Sequence, residues 1–126
     1  RRIAQFGAEF LHQPQRILVA GDVRGIYYLE WREHIEHLSR TNHVEEALEL
    51  TYSVIDAAER VDRLERRGGG AVGWYERAAI LLRKLGDHEA EVRLIEDVQR
   101  AFPDRDYLGH RAAKARDLLA KSAGGQ

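Results

Sequence analysis

The sequence predicts an all-α fold of stacked antiparallel helical hairpins that ends in a C-terminal capping helix. Apolar residues recur every three to four positions through most of the 126 residues, as in helices that bury one face. Residues typical of helix ends separate these segments. We therefore expect an N-terminal helix and connector over 1–21, one helical domain over 22–121, and a disordered tail over 122–126.

The N-terminal segment places Ile3, Phe6 and Phe10 on one side of a helix, which Pro14 is expected to end. Residues 16–21 have a β-branched centre. Such a short run is compatible with a strand or with an extended connector, and the sequence does not decide between them.

The first predicted hairpin, over about 23–66, joins helices over 23–40 and 44–66. Asp22 is expected to cap the first helix, and Asn42 with Glu45 resembles a capping box for the second. The glycines at 68–70 should end the hairpin, because each glycine costs a helix about 1 kcal/mol relative to alanine. The second helix is expected to bury Ala47, Leu50, Val54, Ala58 and Val61.

The second predicted hairpin, over about 73–102, turns at Gly86 and Asp87. Gly86 suits the left-handed position after a helix, and Asp87 suits the cap of the next one. Pro103 should stop the second helix of this pair. A capping helix over about 106–121 would then bury Leu108, Ala112, Ala115 and Leu119.

The segment WYERAAILLRKLGDHEAEVRLIEDVQRAFP, residues 74–103, resembles one hairpin of the tetratricopeptide-repeat (TPR) family. Gly86 and Pro103 stand seventeen residues apart, as the turn glycine and closing proline of that family do, in repeats of about 34 residues. Ala79 and Leu82 match the family's packing positions. Glu91 stands where alanine is usual, which is a departure.

A degenerate copy lies upstream. Trp31, Leu38 and Ala47 match family positions, and Asn42 replaces the turn glycine, since asparagine tolerates left-handed geometry. Ile35 replaces the expected small residue, and no closing proline follows. The resemblance implies a TPR-like, short right-handed superhelical stack.

The resemblance also implies a non-catalytic module that binds a peptide or helix of a partner protein on a concave surface. The first helix of each hairpin would line that surface. Of each pair of adjacent aromatics, one should be exposed or lie between hairpins, because neighbours on a helix do not face the same way, and exposed aromatics are favoured at interfaces. The expected partner-binding residues are Tyr28, Arg32, Glu36, Arg40, Trp74, Glu76, Arg83 and Lys84.

Charge and composition argue against other classes of partner. The net charge of −1 provides no basic field for nucleic acid or an anionic membrane surface. The apolar run at 17–20 is far shorter than the roughly 20 residues that cross a bilayer. We expect a cytoplasmic chain that contacts protein or peptide. Because the chain begins at Arg1, we also expect it to be part of a larger protein.

The sequence predicts no catalytic residue, cofactor or metal. Gly68, Gly70 and Gly73 fit GxGxxG, but a charged helix precedes them instead of the strand that a dinucleotide site needs. Glu30, His34 and His37 share a helix face, and a solvated charged face explains them better than a metal site.

Three alternatives remain open. The chain could be a helical accessory or regulatory domain of a larger enzyme. It could also be a small bundle that binds a metal or ligand at Glu30, His34 and His37. Finally, two hairpins are few for an independent stack, so self-association through an open end is a third possibility.

Overall fold

A computed structural model describes residues 14–66, 70–104, 106 and 108–124, and these residues are mostly helical. The predicted all-α class is therefore confirmed, apart from one short β-hairpin. The predicted helix with Ile3, Phe6 and Phe10 lies outside the described residues, as do Gly68 and Gly69.

The N-terminal part differs from the prediction. Residues 14–20, which we label α1, are helical, so residues 16–20 are neither a strand nor an extended connector. The end of the preceding predicted helix lies outside the described residues. The fixed φ of proline is close to that of a helix, which allows Pro14 a helical place. The strand pair comes later, as β1 at Asp22–Val23 and β2 at Ile26–Tyr27.

The turn between the strands explains why residues 22–27 are not helical. Arg24 and Gly25 both have positive φ, of 53° and 85°, as a two-residue type I′ turn requires. The Asp22 carboxylate accepts a hydrogen bond from the Gly25 amide at 3.2 Å. Asp22 thus stabilises a hairpin turn instead of capping a helix.

Side chains from the helical region hold this β-hairpin in place. Arg60 donates from Nε to the Ala20 carbonyl at 2.8 Å and from Nη2 to the Asp22 carbonyl at 3.2 Å. Trp31 donates from Nε1 to the Val23 carbonyl at 3.1 Å. These three bonds connect the β-hairpin, and the Ala20 carbonyl that precedes it, to the Arg60 and Trp31 side chains.

The first helical hairpin starts later than predicted. A 3-10 turn at Tyr28–Trp31 leads into α2, Arg32–Arg40, and α3 follows at Val44–Glu65. Asn42 has the expected left-handed φ, of 64°. The capping box is not formed, because His43 is the residue before α3 and makes no side-chain capping bond.

The second helical hairpin confirms the predicted turn. Helix α4 spans Val72–Leu85 and α5 spans His88–Ala101. Gly86 has φ 74°, and the Asp87 carboxylate accepts a hydrogen bond from the Ala90 amide at 3.2 Å. Helix α6 then runs over Gly109–Gly124, so residues 122–124 are helical and not part of a disordered tail.

Each helix from α2 to α6 packs mainly against its neighbours in the chain. A larger core joins the β-hairpin to α2, α3 and α4, and a smaller one joins α5 to α6, with Tyr75 against both. The predicted stripe of α3 is fully buried: Ala47, Leu50, Val54, Ala58 and Val61. Within the described residues, no helix has the length and apolar character needed to span a membrane.

Candidate functional site

A groove runs between α2 and α4, the first helices of the two helical hairpins. It consists of two adjoining cavities of about 150 and 240 Å³ that share Arg77. The α2–α4 groove is defined by Leu29, Arg32, Ile35, Glu36, Ser39, Arg40, Gly70, Gly73, Trp74, Arg77, Ile80 and Leu81.

The groove is built by one face of each helix. Gly73, Arg77 and Ile80 are spaced by four and three residues along α4, which places them on one side of that helix. Arg32, Glu36 and Ser39 have the same spacing along α2. Leu81 and Ile35 are buried beneath these residues and form an apolar floor.

Ion pairs cross the groove and orient its charges. The Glu36 carboxylate lies 3.1 Å from Nη1 of Arg77 on α4 and 3.6 Å from Nε of Arg32 on its own helix. Arg77 also lies over the Trp74 ring, with its guanidinium carbon 5.8 Å from the ring centroid. Because Arg77 is three-quarters buried by these contacts, its position is more fixed than that of Arg32, which is 67% exposed.

A second bridge marks one end of the groove. Lys84 donates from Nζ to the Ser39 hydroxyl at 2.7 Å, which joins α4 to α2. Beyond Lys84 lies a wider concavity of about 670 Å³ with three carboxylates at the start of α3. Its lining is Asn42, His43, Val44, Glu45, Glu46, Glu49, Lys84 and Leu85.

The structure brings five of the predicted partner-binding residues together, one of which, Trp74, lines the groove from the core. Arg32, Glu36 and Arg40 line the groove, and Lys84 lies at its end. Glu76 is half-buried on α4 and is not among the lining residues.

Arg83 does not stand free in solvent, contrary to expectation. It donates from Nε to Glu91 Oε1 at 3.1 Å and from Nη2 to Glu91 Oε2 at 2.8 Å. The Glu91 side chain is fully buried, and Arg111 of α6 approaches the same carboxylate at 3.7 Å. These contacts give Arg83 a structural role in joining α4, α5 and α6.

The expectation that Tyr28 and Trp74 are exposed anchors is wrong. Tyr28 is 7% exposed and Trp74 is 9% exposed, and both belong to the larger core. Their neighbours Tyr27 and Tyr75 are half-buried, because the β-hairpin and α3 cover them. The exposed apolar residues along the groove are instead Leu29 and Ile80, at 56% and 39%.

Among the groove residues that the sequence interpretation missed, Gly73, Arg77 and Ile80 lie on α4. Their spacing on α4 could have indicated them, because Lys84 lies on the same face one turn further along. The family resemblance favoured Glu76, which does not line the groove, and Arg83, which contacts α5 and α6.

The possible metal ligands do not come together. Among the described residues, no three histidine, aspartate or glutamate side chains are grouped so that they could hold a metal ion. His34 and His37 are exposed on α2, and the His34 ring packs near Trp31, with 5.6 Å between ring centroids. Glu9 and His12 lie outside the described residues.

Comparison with protein-family models, with curated proteins and with solved structures found no match to this chain.

Proposed function

We propose that this chain is a non-catalytic protein–protein interaction module that binds a peptide or helix of a partner in the α2–α4 groove. We further propose that its helical hairpins form a TPR-like stack, in which α2 and α4 supply the concave surface and α6 acts as the cap.

The sequential packing of the helices supports the proposed stack. In repeat proteins each hairpin contacts its neighbours along the chain, and an extended surface results. The left-handed residues at both turns, Asn42 and Gly86, support the same arrangement.

The groove itself is the observation that carries the proposed function. It combines an apolar floor, two exposed apolar side chains and charged residues on both walls. Interfaces have this composition, with a partly apolar centre and a polar rim. Its two cavities, of about 150 and 240 Å³, are smaller than the roughly 300–1,000 Å³ pockets that enclose a small molecule, which favours side chains of an extended peptide or a helix as the occupant.

Site-specific photocrosslinking tests the proposal. A photoreactive benzoylphenylalanine in place of Ile80 reports on the groove, and the same residue in place of Asp56 reports on an exposed part of α3 outside it. The experiment is done in cells that naturally make this chain. We expect one partner protein to crosslink at position 80 and not at position 56.

The crosslinked protein must then bind the purified domain. A reversal of both Arg32 and Arg40 to glutamate should weaken that binding while leaving the circular dichroism spectrum unchanged. Equal crosslinking at both positions, or unchanged binding of the double variant, would contradict the proposal.

A further inference from the structure

Positive charge is concentrated in the α2–α4 groove, although the whole chain has a net charge of −1. Arg32, Arg40 and Arg77 line the groove with a single carboxylate, Glu36. Lys84 adds a further cation at one end. Two of these arginines share Glu36, so its one negative charge cannot neutralise both.

The α4 backbone is open to the groove at Gly73, which has no side chain. Glycine in a helix costs about 1 kcal/mol relative to alanine. Neither of two common structural reasons for a glycine applies to Gly73. Gly73 does not have a positive φ. Apart from its own stretch of helix, no described atom lies within 4 Å of the position that its Cβ would occupy. Gly73 lies in the first turn of α4, and a glycine with open space around it permits the close approach of a ligand to the backbone.

The neighbourhood of Gly73 favours an anionic group. Arg32, Trp74 and Arg77 line the same cavity. The first turn of α4 contains no acidic residue, and no side chain of the described residues caps it. The Asp62 carboxylate of α3 lies against Gly70, just before α4, and offsets part of the positive end of the helix dipole, so the two arginines supply most of the positive charge here.

We propose that the occupant of the α2–α4 groove is an acidic peptide segment of a partner protein, with carboxylates along Arg32, Arg40 and Arg77 and its backbone close to Gly73. The inference rests on the proposed function and specifies its partner. Apolar side chains of the peptide would contact Leu29 and Ile80, which are exposed beside these cations.

A selection with random twelve-residue peptides displayed on phage tests the charge of the occupant. The probe is the immobilised wild-type domain, and the enriched sequences are counted against the unselected library. We expect enrichment of aspartate and glutamate together with leucine or isoleucine. Enrichment of neutral or basic peptides, or no enrichment over a blank surface, would overturn the inference.

The most enriched peptide, made synthetically with a fluorescent label, then tests the location. Reversal of both Arg32 and Arg40 to glutamate should weaken its binding at least about tenfold, equivalent to about 1.4 kcal/mol. Arg93→Glu with Arg100→Glu is the matched control, because it makes the same change in net charge on exposed residues of α5. Equal losses in both double variants would overturn the inference.

Gly73→Leu tests the close approach without changing any charge. We expect unaltered thermal stability, because the new side chain meets open space, together with a loss of peptide binding. Ala113→Leu, at an exposed position of α6, is the control for size and should bind as the wild type does. Full binding by Gly73→Leu would contradict the proposed contact.

Two further outcomes separate this inference from the proposed function. If the protein crosslinked at position 80 contacts the groove through a neutral or basic segment, the inference fails and the proposed function stands. If single-stranded oligouridylate of equal charge competes more strongly than the acidic peptide, the groove binds nucleic acid, and both proposals fail.

Discussion

Arg83 and Glu91 form a doubly hydrogen-bonded ion pair across the α4–α5 hairpin, with N–O distances of 3.1 and 2.8 Å. The glutamate side chain is fully buried, whereas the arginine side chain is 26% exposed. Arg83 also donates to the Arg111 carbonyl at 3.3 Å, so the pair attaches α6 to the second hairpin.

Removal of Glu91 should strongly destabilise the fold. Loss of one partner of a buried ion pair leaves the other charge without compensation, which costs about 3–5 kcal/mol. This cost is smaller here because Arg83 is partly exposed. We expect Glu91→Ala to lower the free energy of unfolding, measured by urea titration, by about 2–4 kcal/mol.

Glu89→Ala is the matched control. Glu89 lies on the same helix and pairs with Arg93, but both side chains are 70% exposed. Its removal should cost less than about 0.5 kcal/mol. Similar losses in the two variants would show that the buried pair contributes no more than a surface pair.

The ion pair with Glu91 makes Arg83 unsuitable for a charge-reversal test of partner binding. Arg83→Glu would place a second carboxylate beside a buried one, so the fold should not tolerate it. Arg32 and Arg40 are the suitable positions for reversal, because both are exposed.

Gly86 should resist substitution because of its backbone conformation. Its φ of 74° is left-handed, and such geometry costs a residue with a side chain about 1–2 kcal/mol. We expect Gly86→Val to lower the free energy of unfolding by more than about 1 kcal/mol, since β-branched residues tolerate this region poorly. Gly73→Ala, in helical conformation with open space around it, should be neutral or stabilising.

Tyr75 should make stability sensitive to alkaline pH. Its hydroxyl donates to Glu59 Oε2 at 3.1 Å, and burial together with the Glu59 charge raises its pKa from 10 to about 12. The folded state therefore favours the protonated form. The contribution of protonated Tyr75 to the free energy of unfolding is complete below pH 10 and is lost as pH rises toward 12.

Comparison of wild type with Tyr75→Phe isolates this contribution. At pH 8 the variant should be less stable by about 0.5–1.5 kcal/mol, because it lacks the hydrogen bond. The difference should shrink as pH rises from 10 to 12. A difference that stays constant over this range would contradict the assignment.

The sequence predicted the helices best where local signals and periodicity agree. The apolar stripe of α3 and the left-handed turn at Gly86 both follow from short-range preferences, and both were confirmed. The β-hairpin was missed because Arg24–Gly25 is a weaker turn signal than Asn-Gly or Asp-Gly. Its position also depends on Arg60, which is distant in the sequence.

The candidate groove could be predicted only in part. Helical spacing and the family resemblance placed Arg32, Glu36 and Arg40 on α2, where they line the groove. On α4 the same reasoning succeeded only in part, because Lys84 lies at the end of the groove, whereas Arg83 is held by the buried Glu91 across the α4–α5 turn. Burial of Tyr28 and Trp74 likewise depends on tertiary packing that a local pattern does not contain.

The central proposal is that the α2–α4 groove is the surface that binds the partner protein. Nuclear magnetic resonance of the isotope-labelled domain, titrated with the segment of the partner recovered by crosslinking, tests that claim most directly. We expect saturable shifts of backbone amides at 29–40 and 73–81, with amides of α5 little affected. Shifts confined to the acidic concavity at 42–49, or to residues 18–27, would place the interaction elsewhere and contradict the proposed function.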